Sequence, residues 1–219
     1  MTQLQASEPE IYQGQFGSFT ITEADRSGVI IYRTALNIAA LCFAIGSTLV
    51  LWQGGTPAVI NALTPLYGVF CLALGISLLT IHIYLAVLHR ALQLFWAIGV
   101  LAAIGYILFF REPLALTVYN HPTTLFGIGF TFAALTGIYF KEAFCFSRLE
   151  TKLLTPLVPI LLLGHLTGIL PVMAERVLLA TWAVGFVVFA LRKALQAIPP
   201  DIGDKSVFAY LKQQRQAVG

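Results

Sequence analysis

The sequence predicts an all-α fold, a polytopic bundle of six membrane-spanning helices, and three observations carry that prediction. Hydrophobic residues fill 58% of the 219 positions and charged residues only 11%, whereas about a quarter of the residues in soluble domains are charged. Six apolar stretches approach the ~20 residues that a helix needs to cross ~30 Å of hydrocarbon. Open β-structure is excluded at that depth because its edge amides would find no partners in lipid. The chain therefore divides into a polar N-terminal segment at 1–28, a six-helix membrane domain at 29–193 and a polar C-terminal tail at 194–219.

Residues 1–28 contain Glu8, Glu10, Glu23 and Asp25 and no apolar core, so no cleavable signal peptide is expected. The weak alternation from Tyr12 to Ile21 suits a short hairpin, an extended surface segment or a partly ordered tail. Thr22-Glu23-Ala24-Asp25 carries a helix-start signal, which brings Arg26 and Arg33 near the interface. The first span is expected at 29–52, with Trp52 as an interfacial anchor. Gly54-Gly55-Thr56-Pro57 breaks it and opens an uncharged loop as far as Thr64. The second and third helices are expected at 65–88 and 91–110, with a tight turn at His89-Arg90. Pro113 and Asn120-His121-Pro122 mark the following segment as a loop.

The fourth helix, expected at 123–140, is rich in small residues that permit close backbone approach: Gly127, Gly129, Ala133, Ala134 and Gly137. The fifth, at 153–170, has Pro156 and Pro159 in its first turns, where missing amide donors do least harm. Pro171 ends it, and the sixth is expected at 177–191. Residues 198–204 read as a linker, and 205–215 as a short surface helix.

Charge orients the bundle. With six helices, both ends of the chain and the loops after helices two and four share one side. That side holds Arg26, Arg33, Arg90, Lys141, Arg148, Lys152, Arg192, Lys193, Lys205, Lys212 and Arg215, against only Arg111 and Arg176 opposite. Eleven against two places both ends of the chain in the cytoplasm or its organellar equivalent by the positive-inside rule. The net charge of +3 is too mild to imply nucleic acid, and Cys42, Cys71 and Cys145 form no disulfide framework or zinc site.

Among residues that carry chemistry, His165 stands out. Placed about twelve residues into the fifth helix, it is an intramembrane ionisable group of the kind that is expensive and often functional. It suits haem or chlorophyll ligation, proton or solute handling, or a hydrogen bond to a neighbouring helix. Gly164 and Gly168 flank it at helix-packing spacing. His82 and His89, seven apart, share a face if one helix holds both, and a haem site pairing His82 with His165 is geometrically possible. His121 is expected to cap a helix. The segment 140–152 sets Lys141, Glu142, Arg148, Glu150 and Lys152 among Phe140, Phe144, Cys145 and Phe146, a pattern that suits an interfacial segment docking a partner or an ordinary charged loop. Glu142 is also placed to accept a bond from an inward group. Catalytic triads, phosphate loops, HExxH and CxxC are absent, as are the aspartate clusters that lipid- and isoprenoid-processing enzymes use for magnesium.

The pieces Tyr12-Gln13-Gly14-Gln15-Phe16-Gly17, Thr20-Ile21-Thr22-Glu23-Ala24-Asp25-Arg26, Tyr32-Arg33-Thr34, Phe140-Lys141-Glu142-Ala143-Phe144-Cys145 and Leu163-Gly164-His165-Leu166-Thr167-Gly168 resemble an uncharacterised family of integral membrane proteins from cyanobacteria and plastids. The resemblance supplies no catalytic residues. It implies a setting, the thylakoid or plasma membrane of an oxygenic phototroph. The leading expectation is a non-enzymatic accessory or assembly factor of a photosynthetic membrane complex. A small-solute transporter or channel, and a chlorophyll- or haem-binding protein with His165 as axial ligand, are the alternatives.

Overall fold

Six helices long and apolar enough to cross a membrane account for most of the chain in the computed structural model, which describes residues 10–218. Residues 1–9, with Glu8 and the start of the polar leader, lie outside the described residues. A hairpin of β1 (Ile11–Gly14) and β2 (Gly17–Thr20) precedes α1 (Glu23–Gln53), α2 (Pro57–Thr80) and α3 (Ala86–Phe110). Then follow a short α4 (Leu114–Asn120), a 3-10 turn (Pro122–Thr124), α5 (Leu125–Phe146), α6 (Leu149–Leu166), α7 (Val172–Ala194), a one-turn α8 (Pro199–Ile202) and α9 (Lys205–Val218).

Each span packs on the next in chain order, and α7 closes on α1, so α1, α2, α3, α5, α6 and α7 form a ring. Its centre is filled. Phe43 lies 4.4 Å from Trp182 between ring centroids, Phe132 meets Trp182 edge-on at 5.3 Å, and Tyr139 meets Phe186 at 5.5 Å. Trp182, Tyr139 and Phe186 are all buried. Side chains such as Leu72, Leu101, Leu108 and Val184 are exposed, as expected where the solvent is hydrocarbon. The seam between α3 and α5 depends on small residues: a Cβ on Gly99 would stand 2.5 Å from the Thr131 backbone nitrogen, and one on Gly137 would meet Leu92.

Several boundaries differ from the sequence expectation, each for a local reason. Pro57 opens α2 rather than a loop, because Pro at the first helical position lacks only an amide that would be orphaned there anyway. The turn after α2 lies at 81–85, not at His89-Arg90. It contains no Gly, Pro or Asn and is held by burial of Ile81 and Ile83, so turn chemistry does not mark it. The charged connector expected at 140–152 shrinks to Ser147-Arg148, with Ser147 left-handed at φ 50°; α5 continues through Phe146 because its charges find partners inside. Likewise α7 begins at Val172, directly after Pro171.

Thr22 caps α1 as its sequence signal predicts: Asp25 N–H donates to Thr22 Oγ1 at 3.2 Å, and Thr22 N–H donates to Asp25 Oδ2 at 2.8 Å. The two ends of the chain then build one cap over this end of the ring. Gln15 N–H donates to Asp204 Oδ2 (2.6 Å), Phe16 N–H to Ser206 Oγ (3.0 Å), and Phe16 stacks on Tyr210 at 4.0 Å. The Ser206 hydroxyl, with the Gln15 amide, holds the Asp204 carboxyl below its ordinary value. Tyr84 in the 81–85 turn stacks on Phe208, and Lys205 pairs with Asp25 at 2.6 Å. Ile202 is buried against Ile21 and Val29, so 198–204 is a docked segment rather than a linker.

Gly99→Ala should therefore force α3 from α5 and cost about 1–3 kcal/mol, the usual penalty for overpacking. A lowered melting temperature in detergent would show it. Gly105→Ala, where a Cβ meets nothing within 4 Å, should melt like the parent.

Candidate functional site

Where the tail crosses the end of the ring, five ionisable side chains are buried together. Arg33 comes from the early turns of α1, Glu142 and Lys141 from the end of α5, Lys193 from the last turn of α7 and Asp201 from α8. Arg33 Nε and Nη2 donate to Asp201 Oδ2 at 2.8 and 2.6 Å. Lys193 Nζ donates to Asp201 Oδ1 and, at 2.7 Å, to Glu142 Oε2. Lys141 Nζ completes the chain with Glu142 Oε1 at 2.8 Å. Glu142 and Lys193 are both 0% exposed.

Burying an ion costs several kcal/mol, and attraction offsets that only when the remaining hydrogen-bonding positions are filled. Here all four carboxylate oxygens accept a charged donor. Arg33 also donates through Nη1 and Nη2 to the backbone carbonyls of Gln196 and Ala197, fixing the path of the tail. Three cations face two carboxylates, leaving a surplus of positive charge. The Phe146 ring partly answers it, with Lys193 Nζ 4.3 Å, Lys141 Nζ 5.4 Å and Arg148 Cζ 5.7 Å from its centroid. Arg148 donates to the Gln196 side chain, which ties the α5–α6 turn to the same tail segment.

The residues singled out in the sequence are thereby redistributed. Lys141 and Glu142 belong to the interior, not to a docking loop, and Glu142 does accept from inward groups. Arg148 and Glu150 are spent within the chain, Glu150 on Arg192 at 2.7 Å and loosely on Arg148 at 3.9 Å. Of the expected docking segment, Phe140, Phe144, Cys145 and Lys152 remain exposed, Phe144 at 82% and beside exposed Leu149.

His165 is not deep in the membrane. α6 starts at Leu149, so His165 sits in its last turn, about 24 Å along the helix, at the end opposite the ion network. Its Nδ1 lies 2.8 Å from Glu175 Oε1, an arrangement in which the carboxylate accepts the imidazole N–H, and the Tyr119 ring is 6.3 Å away. His82 occupies the 81–85 turn beside Gly28 at the network end, where burial pushes its pKa down. The two imidazoles stand at opposite ends of the bundle, so no haem can bridge them. Nor do His82 and His89 share a helix; His89, on α3, donates to Leu78 O at the end of α2 (2.6 Å). His121 stands at the N-cap position of the 3-10 turn, where its carbonyl accepts from Thr124 N–H at 2.9 Å while its side chain makes no capping bond.

Gly164 and Gly168 do not pack a neighbouring helix. They terminate α6: Ile169 N–H donates to Gly164 O, Gly168 N–H to His165 O, and Gly168 is left-handed at φ 66°. Gly164 also makes room for Leu170, whose Cδ1 would lie 2.3 Å from an added Cβ. Among the described residues no group of three or more His, Cys, Asp or Glu could hold a metal ion.

Arg33, Lys193 and Asp201 are the functional candidates that the sequence reading passed over. Arg33 and Lys193 entered it only as interfacial charges, and Asp201 lay in the supposed linker. A usable signal exists: Arg33 follows Val29-Ile30-Ile31-Tyr32 inside an apolar run, where an unpaired guanidinium is costly, and carboxylates able to answer it are few.

Asp201→Ala should leave Arg33 buried without a counter-ion and Lys193 with Glu142 alone, and cost about 3–5 kcal/mol. Thermal melting together with faster tryptic cleavage after Lys205 would register it; an unchanged melting temperature would contradict the network's structural role.

No curated protein and no solved structure matches the chain. A family model does, over residues 76–210, a stretch that holds Glu142, Lys141, Lys193 and Asp201 and leaves Arg33 outside. With more than half of its length covered, the chain belongs to the family described as uncharacterized integral membrane protein (DUF2301).

Proposed function

We propose that the protein is a non-enzymatic accessory factor that docks a partner at the charged end of its bundle. The observation that carries this reading is the contrast between the two parts of the molecule. The ring interior is filled by packed aromatic side chains, while the charged end is a rigid assembly of hairpin, tail and helix ends held by a buried ion network. Beside that assembly, Phe140, Phe144 and Leu149 are 52%, 82% and 78% exposed. Large apolar side chains beside charge at a membrane boundary suit contact with another membrane protein.

The eleven-to-two distribution of basic residues supports placing this end in the cytoplasm or stroma. The resemblance carried by the Phe140–Cys145 and Leu163–Gly168 pieces supports the thylakoid or plasma membrane of an oxygenic phototroph, with a photosynthetic complex as the partner. A transport function draws some support from the buried charges, and less from a centre closed by Phe43, Phe132 and Trp182.

On a native gel of membranes solubilised in mild detergent, the chain should migrate with a chlorophyll-bearing complex, and Phe140→Ser/Phe144→Ser should release it. Migration alone in the parent, or unchanged association in the double variant, would overturn the reading.

A further inference from the structure

A groove of about 750 Å³ runs along the lipid-facing seam between α1 and α7 and ends at the ion network, within the range of ~300–1,000 Å³ typical of small-molecule sites. Its polarity is graded. At the charged end it is lined by Arg33, Thr34, Asn37 and Gln196. Further in, Ile38, Leu41 and Val187 make it aliphatic. From Arg33 to Leu41 the helix rises about 12 Å, so head-like chemistry gives way to chain-like chemistry over the depth at which a leaflet makes the same change.

The polar end has unspent capacity. Of the five guanidinium N–H groups of Arg33, four go to Asp201, Gln196 O and Ala197 O, leaving one on Nη1. Arg33 is held rigidly for this, its side chain only 9% exposed. Both amide hydrogens of Asn37 go to backbone, on Arg33 O and Ala190 O, which leaves its Oδ1 open, and Thr34 is exposed on the same face. The charge balance is positive here, because the adjoining network holds one more cation than carboxylates.

We infer that this groove is a binding site for an anionic glycerolipid of the adjoining leaflet. The phosphate oxygens take the remaining Arg33 N–H and the Thr34 hydroxyl, and one acyl chain lies along Ile38, Leu41 and Val187. An occupied groove would link lipid to the tail, since Arg33 also holds Asp201. This site is independent of the partner-docking face on α5 and α6.

Native mass spectrometry with phosphatidylglycerol and phosphatidylcholine as the added probes tests it. The parent should retain a single phosphatidylglycerol about tenfold more strongly than phosphatidylcholine, a difference of about 1.4 kcal/mol. Thr34→Trp, which fills the polar end from an exposed position, should abolish that preference, while Leu101→Trp on lipid-facing α3 should keep it. Ile38→Trp, filling the chain end, replaces Thr34→Trp should the latter elute aggregated. Equal retention of the two lipids by the parent, or the same preference in the groove-filling variant as in Leu101→Trp, would overturn the inference.

Discussion

The pairing of Asp201 with Arg33 and Lys193 is the constraint on which the charged end of the molecule depends. A lysine with no exposed surface and an arginine nearly as enclosed cannot remain in a membrane protein's interior unanswered, because hydrocarbon and packed side chains offer no hydration. Glu142 answers part of that charge from within the ring. The rest is answered by a residue beyond the last span, so the tail must fold back over the bundle. Once Asp201 is docked, Ile202 meets Ile21 and Val29, α9 meets the hairpin, and the polar ends of the chain become one cap.

Such a network is a poor source of net stability, since desolvation consumes most of the attraction. Its effect is on specificity. An apolar tail segment of similar volume would pack at many positions on a greasy bundle, whereas a carboxylate between two buried cations has one register. Ordered backbone at 196–197, received by Arg33, follows from the same contact. The opposite end is built differently, with α6 closed by a glycine-terminated turn and a partly exposed His165–Glu175 pair.

Much of the architecture was legible from the sequence because hydrocarbon thickness fixes helix length and lipid forbids unpaired backbone. The span count, the α1 cap at Thr22–Asp25 and the close packing at Gly127 and Gly137 follow from composition and spacing alone. What the sequence hid was long-range. Pairing of Asp201 with Arg33 spans 168 positions, and neither residue type announces a partner, so Arg33 and Lys193 read as interfacial cations and 198–204 as a linker. His165 was misplaced in depth for a related reason: the charges of 140–152 looked solvated, which pushed the start of the fifth span too late and carried the imidazole inward. The Gly164 and Gly168 spacing was ambiguous between helix packing and helix termination, and only Pro171 nearby favoured the second.

The most direct test of the tail as an integral part of the fold is a distance measurement by pulsed electron paramagnetic resonance, with Cys145→Ser and nitroxide labels at the exposed positions Arg90 and Gln213. With Asp201 present, one narrow distance distribution is expected, and it should broaden when Asp201 is replaced by Ala. A broad distribution with Asp201 in place, or a narrow one that survives its removal, would contradict the anchoring of the tail through the buried ion network.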